Sequence, residues 1–374
     1  ITEAQMSTTI SQAREAAAKS GEKAQIEIKL NPPTGTAAQL TAAAATLTAA
    51  SVQDLAAAGI DRLTLSSSLG SVTFDGAALS TVAAAAAGDV TISVAKTDPA
   101  SLPDQVRQRI GDRPVYDFSV TGGGNTISQF NGAVTVVIPY VPAAGEDINA
   151  IVVYFINDRG ELETVTSGRY DALTGTVVFT TGHFSQYAVG YNKINFADVK
   201  ESDWYAKAVT YLSARQITSG TDRSLFSPDA TLTRGQFITL LMRAYVIAPD
   251  ANPTANFADA GNAYYTGYLA AAKRLGISSG VGDNKFAPRQ AITRQEMFTL
   301  LYNTLNSIRR LPEGNSGKTL PDFTDGGSIP AYAQEAMAYL VKTGTVSASG
   351  GKLDPAATST RAQLAQLLYN LLEK

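Results

Sequence analysis

A short phrase occurs three times in the second half of the chain. It reads Leu232-Thr233-Arg234-Gly235-Gln236, then Ile292-Thr293-Arg294-Gln295-Glu296, then Ser359-Thr360-Arg361-Ala362-Gln363. Each copy opens an apolar helical run and closes a longer unit. The units open on Phe196-Ala197-Asp198, Phe257-Ala258-Asp259 and Phe323-Thr324-Asp325, 61 and 66 residues apart. Each continues through an apolar helix and a small polar loop, Ile217-Thr218-Ser219-Gly220 or Ile277-Ser278-Ser279-Gly280. Phe226-x-Pro228 or Phe286-x-Pro288 follows, and then the arginine phrase. The third copy has Thr345-Val346-Ser347-Ala348 and Leu353-x-Pro355 at these places. A two-helix repeat of about 60 residues cannot bury its apolar face alone, so the three are expected to close on one another.

The phrase has two layers. Thr233, Thr293 and Thr360 stand three residues before Gln236, Glu296 and Gln363. This is the capping-box pattern, explained by the helix alone. The arginine is not, because the first helical turn disfavours a cation. A guanidinium at a helix start with spare N–H groups makes an anion site, and the Ser-Gly loops can add backbone donors to cup a carboxylate. The structural alternative pairs each arginine with Asp198, Asp259 or Asp325, or with its own cap residue; the two readings are compatible.

The rest of the chain sets the context. At 374 residues it exceeds one ordinary core. Residues 1–20 read as a helix, Ala24–Leu30 as a strand, Leu40–Ala58 as an Ala-rich helix, and shorter strands and helices follow to residue 113. That alternation predicts a small α/β or α+β domain over 1–113. From Pro114, short Val/Ile/Tyr/Phe runs between Gly/Asn/Asp clusters predict an all-β sandwich-like domain over 114–193. The repeats then form an all-α region over 194–374, divided near 194–252, 253–318 and 319–374.

Charge is uneven: −6 over 1–193 and +3 over 194–374. The C-terminal half suits an anionic partner, but +3 is too weak for nucleic acid. Without cysteine there is no disulfide or thiol chemistry. No apolar run is long enough to span a membrane. The sequence begins at Ile1 and has no signal peptide, so it reads as a mature form or an excised piece.

The ordered elements Phe-x-Asp, Trp204 or Tyr265, Gly220 or Gly280, Phe-x-Pro and Thr-Arg-x-Gln/Glu resemble the S-layer homology repeat, present as a tandem trimer over about half the chain. The resemblance implies a pseudo-threefold helical bundle with three inter-repeat grooves. It also implies non-covalent binding of a pyruvylated secondary cell-wall polymer, outside the cell in the wall or S-layer of a Gram-positive bacterium. In that picture Arg234, Arg294 and Arg361, with Ser219, Gly220, Ser279 and Gly280, hold the ketal carboxylate. Trp204 and Tyr265 pack on the sugar, although Trp204 is equally suited to anchor the core between repeats. The third copy departs from the pattern: Ala348 replaces the loop glycine and Ser328-Ile329-Pro330-Ala331-Tyr332 shifts the aromatic, so at least one groove is expected to be weak or empty. Asp112–Asn192 resembles a domain often found before such repeats, through Gly111-Asp112-Arg113-Pro114, Val136-Val137-Ile138-Pro139-Tyr140 and His183-Phe184-Ser185-x-Tyr187; it implies a spacer.

The expected function is therefore cell-wall anchoring, with no cofactor. The single histidine, His183, reads as a turn residue, and no triad, Rossmann, P-loop or metal-ligand spacing is present. Two rivals are a wall-tethered polysaccharide-active enzyme, with any catalytic domain upstream, and a lattice protein that self-associates.

Overall fold

Alternating burial and cross-strand pairing organise the first half of the chain. The computed structural model describes residues 2–30, 41–346 and 350–373. The chain divides into two compact units, Ile1–Lys193 and Ile194–Lys374.

In the first unit the order is α1 (Glu3–Ser20), β1 (Gln25–Lys29), β2 (Ala42–Leu47), α2 (Ala49–Ala57), β3 (Arg62–Ser67), β4 (Gly70–Asp75), α3 (Gly76–Ala85), β5 (Val90–Lys96) and α4 (Asp104–Ile110). It continues with β6 (Val115–Gly122), β7 (Asn125–Thr126), β8 (Gln129–Pro139), β9 (Ile151–Ile156), β10 (Leu162–Val165), β11 (Arg169–Asp171), β12 (Thr176–His183) and β13 (Gln186–Tyr191). One sheet runs β1-β3-β4-β8-β12-β11 and the other β10-β9-β13-β6-β5-β2, with β7 on β6. Among the described residues β1–β3 is the one parallel pair. Their inner faces share one core: the Phe118 and Tyr187 rings of the second sheet meet Phe179 of the first at 6.3 and 4.8 Å.

Two expectations are corrected here. A boundary at residue 113 would cut both sheets, because β4 pairs with β8 and β5 with β6. Asp75 also spans it, capping α3 through Ala78 N–H and accepting Ala133 N–H at 2.8 Å. The expected α/β and β-sandwich domains are one two-sheet unit; the separation of local patterns along the chain did not reveal that their strands interleave. Within the predicted helix at Leu40–Ala58, residues 42–47 form β2, which pairs antiparallel with β5. Alanine propensity is a weak prior, and the edge of β5 supplies the hydrogen bonds that decide. The helix starts only at Thr48, whose hydroxyl accepts Ser51 N–H.

The second unit holds α5 (Ala206–Ala214), α6 (Arg234–Ala244), α7 (Thr266–Arg274), α8 (Arg294–Ser307), α9 (Ala331–Lys342) and α10 (Arg361–Leu372). The second helix of each repeat packs on the first helix of the next: α6 on α7, α8 on α9, and α10 back on α5. At the last junction the Tyr211 and Tyr369 rings lie 5.2 Å apart. All six helices contribute to one core, which includes Leu212, Phe237, Leu269, Leu301, Leu340 and Leu364. The apolar face that each repeat cannot bury alone is thus covered by its neighbours.

Candidate functional site

The three Thr-Arg phrases meet. Leu232 N–H donates to Ser359 O, and Ile292 N–H to Leu232 O. Short bridges pair Thr231 with Thr360, Thr233 with Ala291, and Thr293 with Thr358. Each phrase then makes the capping box its spacing predicts.

The first-turn N–H groups beyond the cap are not spare. Arg234 and Gly235 donate theirs to Gln290 O and Pro288 O of the second repeat. Arg294 and Gln295 donate to Ala357 O and Pro355 O of the third, and Arg361 and Ala362 to Ala230 O and Pro228 O of the first. The guanidinium follows the same circuit: Arg234 Nε donates to Phe286 O at 2.8 Å, Arg294 Nε to Leu353 O at 2.8 Å, and Arg361 Nε to Phe226 O at 2.7 Å. The expectation of an anion site built on free helix-start donors is therefore corrected. Inter-repeat carbonyls take those donors, and only the terminal guanidinium nitrogens are left for other partners.

The expected pairing with the repeat aspartates is also corrected. Asp198 accepts the N–H groups of Phe226 and Ser227, Asp259 those of Phe286 and Ala287, and Asp325 those of Leu353 and Asp354. Ser227, Ala287 and Asp354 all have positive φ, so each carboxylate clamps a left-handed residue in the aromatic-x-Pro turn. That turn carries the carbonyl its arginine reads. Arg234 and Arg361 also lie over the rings of Phe286 and Phe226, at 4.7 and 4.8 Å. The third repeat has Leu353 instead, and Arg294 lies over Phe298 of its own helix at 5.2 Å. Burial lowers the pKa of all three arginines; in Arg234 the nearby Glu296 opposes it. A guanidinium in this state remains a cation at neutral pH.

Two clefts open beside these arginines. One, of about 390 Å³, lies between Thr218-Ser219-Gly220-Thr221, the α6 residues Gln236, Thr239, Leu240 and Arg243, Tyr264 and Arg361. The other, of about 550 Å³, lies between Ile277-Ser278-Ser279-Gly280-Val281, the α8 residues Glu296, Thr299, Leu300 and Asn303, Tyr332 and Arg234. Each cleft takes its loop and helix from one repeat, its arginine from the preceding repeat in the ring, and its aromatic from the next. Volumes of this size suit a small ligand or a few units of a polymer.

The structure thus brings Ser219, Gly220 and Arg361 together in one cleft, and Ser279, Gly280 and Arg234 in the other. The glycines are required by geometry. Gly220 and Gly280 have φ of 81° and 89°, and a Cβ on either would lie 2.4 or 2.2 Å from a backbone oxygen. Their N–H groups donate to Thr218 and Ser278 hydroxyls. Exposed Ser219 and Ser279 are therefore the polar loop groups at the clefts. The corresponding Ser347 and Ala348 lie outside the described residues.

The aromatic expectation is corrected by one residue. Ile217, Ile277 and Thr345 make the same hydrogen bond to their preceding helices, from N–H to Leu212 O, Ala272 O and Leu340 O. Counting back from these aligns Trp204 with Tyr264 and Tyr332. The three are 62, 59 and 57% exposed, and the two tyrosines line the clefts. Tyr265 is 8% exposed and belongs to the core. Trp204 is likewise not a core anchor, and Tyr332 restores the aromatic that looked shifted in the third copy. The signal was present in the doublets Trp204-Tyr205 and Tyr264-Tyr265, read by distance to the following loop rather than by residue type. Arg243 and Asn303 were missed because sequence reads them as helix surface.

Comparison with known proteins agrees with this repeat geometry. The S-layer homology domain model matches residues 195–238, 256–298 and 322–365. The chain carries three S-layer homology domains. Amylopullulanase from Thermoanaerobacterium thermosulfurigenes is 31% identical over 255 residues, 67% of this chain and 13% of the relative. That match exceeds the length of the S-layer homology unit and so enters the two-sheet unit. Exoglucanase XynX from Acetivibrio thermocellus is 30% identical over 48% of the chain and 16% of its own length. S-layer protein sap from Bacillus anthracis is 28% identical over 46% of the chain and 20% of its own. The chain spans a fifth or less of each of these relatives. Among the described residues no helix is long and apolar enough to cross a membrane.

Proposed function

We propose that the S-layer homology unit anchors a surface protein non-covalently to a bacterial cell wall, by binding an acidic, pyruvylated wall polysaccharide in clefts between repeats. In this reading the three domains form a pseudo-threefold bundle, the two-sheet unit is a spacer, and the protein sits on the outside of a Gram-positive cell. One observation carries the reading. The same arginine is delivered three times from one repeat to the turn of the next, Arg234 and Arg361 being buried and Arg294 partly so, and in both described clefts an exposed tyrosine is among the lining residues. A cation at the base suits a carboxylate, and an aromatic face at the rim suits the C–H face of a sugar. The S-layer protein relatives support the same reading.

Purified wall sacculi should pull the protein down, and sacculi stripped of their secondary polymer should not. Removing pyruvate chemically should abolish binding; retention at unchanged affinity would refute the carboxylate assignment. A second reading, part of a wall-tethered polysaccharide-active enzyme, is favoured by the amylopullulanase match that runs into the two-sheet unit. Reducing sugar released by this chain from pullulan or a glucan would overturn the anchor-only reading.

A further inference from the structure

Each sheet of the first unit ends in two edge strands, β1 and β11 in one sheet, β10 and β2 in the other. An edge presents a row of unpaired N–H and C=O groups. Proteins keep other chains off it with charged side chains, proline, bulges or very short strands. Three of these four edges are defended in that way. β1 carries Glu27 and Lys29, β10 has four residues including Glu163, and β11 has three including Arg169 and Asp171. β2 is not. Its six residues, Ala42-Ala43-Ala44-Ala45-Thr46-Leu47, make it the longest of the four, and it holds no charge and no proline. It pairs with β5 in unbroken register from Ala42–Ala95 to Leu47–Val90, so there is no bulge.

The backbone groups that face outward follow from one bond. Lys96 N–H donates to Thr41 O at 2.8 Å. Opposed residues in an antiparallel pair alternate between bonded and non-bonded, so residues 43, 45 and 47 turn their N–H and C=O groups to β5. Ala42, Ala44 and Thr46 turn theirs away, and among the described residues no hydrogen bond takes them up. The side chains of these three are exposed and small. Beside them the hydroxyls satisfy one another, Thr46 with Thr91 at 2.9 Å and Ser93 with Ser119 at 2.7 Å. What is left to bond is the backbone edge.

We propose that β2 pairs antiparallel with β2 of a second copy of this chain, about a twofold axis through Ala44, joining two seven-stranded sheets into one. Ala44 then meets its own counterpart, Ala42 meets Thr46, and Ala43 meets Ala45. No like charges meet, because the strand has none. The period of two is kept: Ala43, Ala45 and Leu47 stay on the core side in both copies, and Ala42, Ala44 and Thr46 stay outside. The outward-facing residues exchange about six N–H···O bonds. The size of the contact points to a second copy rather than to an unrelated chain. An edge of six residues is about 20 Å long and about 10 Å wide, and its pairing covers about 400 Å² in all, against about 1,200 Å² or more for a stable complex. So small a contact forms only where its partner is already concentrated. Copies held side by side on a wall are such partners. The inference rests on the anchoring reading for that concentration, and adds the contact that neighbouring anchored copies make.

The test uses the full chain bound to purified wall sacculi. The chain has no cysteine, so Ala44→Cys introduces one thiol, which meets its counterpart at a Cα separation of about 5.5 Å, within the span of a disulfide. Mild oxidation should give a disulfide-linked dimer on a non-reducing gel, at least fivefold more than for Gln12→Cys at an exposed position of α1. Adding Ala42→Lys and Thr46→Lys sets lysines opposite one another at both ends of the pair and should cut the dimer at least fivefold. Adding Ala42→Lys and Thr46→Glu instead sets opposite charges face to face and should restore it. Equal crosslinking of Ala44→Cys and Gln12→Cys, or equal yields from the Lys–Lys and Lys–Glu combinations, would overturn the strand pairing while leaving the anchor reading intact. Failure of the sacculi to retain the protein would overturn the anchor reading instead, and the same variants compared at millimolar concentration in solution then decide the pairing by the same yields.

Discussion

Removing the Arg361 side chain should open the ring of repeats as well as empty a cleft. Arg361 is 5% exposed, donates Nε to Phe226 O at 2.7 Å and lies 4.8 Å over the Phe226 ring. Arg361→Ala removes a charged hydrogen bond worth about 1.5–3 kcal/mol and a partly desolvated cation–π contact worth about 0.5–2 kcal/mol. Ring closure between the third and first repeats should therefore weaken by about 2–4 kcal/mol, allowing for incomplete additivity. With a urea slope of about 2 kcal/mol/M, the midpoint should fall by roughly 1–2 M. Far-UV circular dichroism reads the transition, and fluorescence of Trp204 assigns it, because this sole tryptophan lies in the S-layer homology unit. Arg361→Lys keeps a positive charge but loses the planar fork, and should recover only part of the loss. A midpoint within about 0.3 M of wild type for Arg361→Ala would refute the claim that the arginine circuit holds the repeats together, since that shift corresponds to about 0.6 kcal/mol.

Three further outcomes follow from particular side chains. Ser359 is 1% exposed and its hydroxyl has no hydrogen-bond partner, while the equivalent residues are Leu232 and Ile292; Ser359→Val should stabilise the unit by about 1 kcal/mol, measured as a rise in Tm. Tyr264→Ala should leave stability within about 0.5 kcal/mol of wild type but reduce retention on wall sacculi, whereas Tyr265→Ala should cost about 3–5 kcal/mol on denaturation because its ring is core. In the two-sheet unit, burial opposes ionisation of Glu146 most strongly, yet hydrogen bonds from Arg113, Ala143 N–H and Tyr140 together hold its pKa below the usual carboxylate range. A depressed pKa contributes stability above the unfolded value, near 4.3, that is lost as pH falls through the folded one. Urea midpoints of the two-sheet unit should therefore drop below about pH 4.3, and Glu146→Gln should be less stable at pH 7 with a flatter acid slope.

Within the repeats, local spacing was a reliable guide and lateral contact was not. Thr233, Thr293 and Thr360 cap their helices as the three-residue offset to Gln or Glu requires, because a capping box involves only one turn of chain. The repeated arginine was legible as needing a partner. Its partner was not, because the carbonyls of Phe286, Leu353 and Phe226 belong to neighbouring repeats 52, 59 and 135 residues away. The choice of Tyr265 over Tyr264 failed for the same reason: one residue along a helix start turns a ring from cleft to core, and two adjacent tyrosines give no hint of which way each points.

The sequence by itself determined the number of repeats, the capped helix starts and the recurrence of one arginine per repeat at the first helical position, since each is set by interactions along a few residues. Tertiary structure alone decided that Ala42–Leu47 is a strand, since its hydrogen-bond partners lie on β5. It also decided that the strands before and after residue 113 interleave in two sheets. Finally, it decided which cap residue is ion-paired. Glu296 and Gln236 are interchangeable as helix caps, and only the arrival of Arg234 from another repeat gives Glu296 a charged partner.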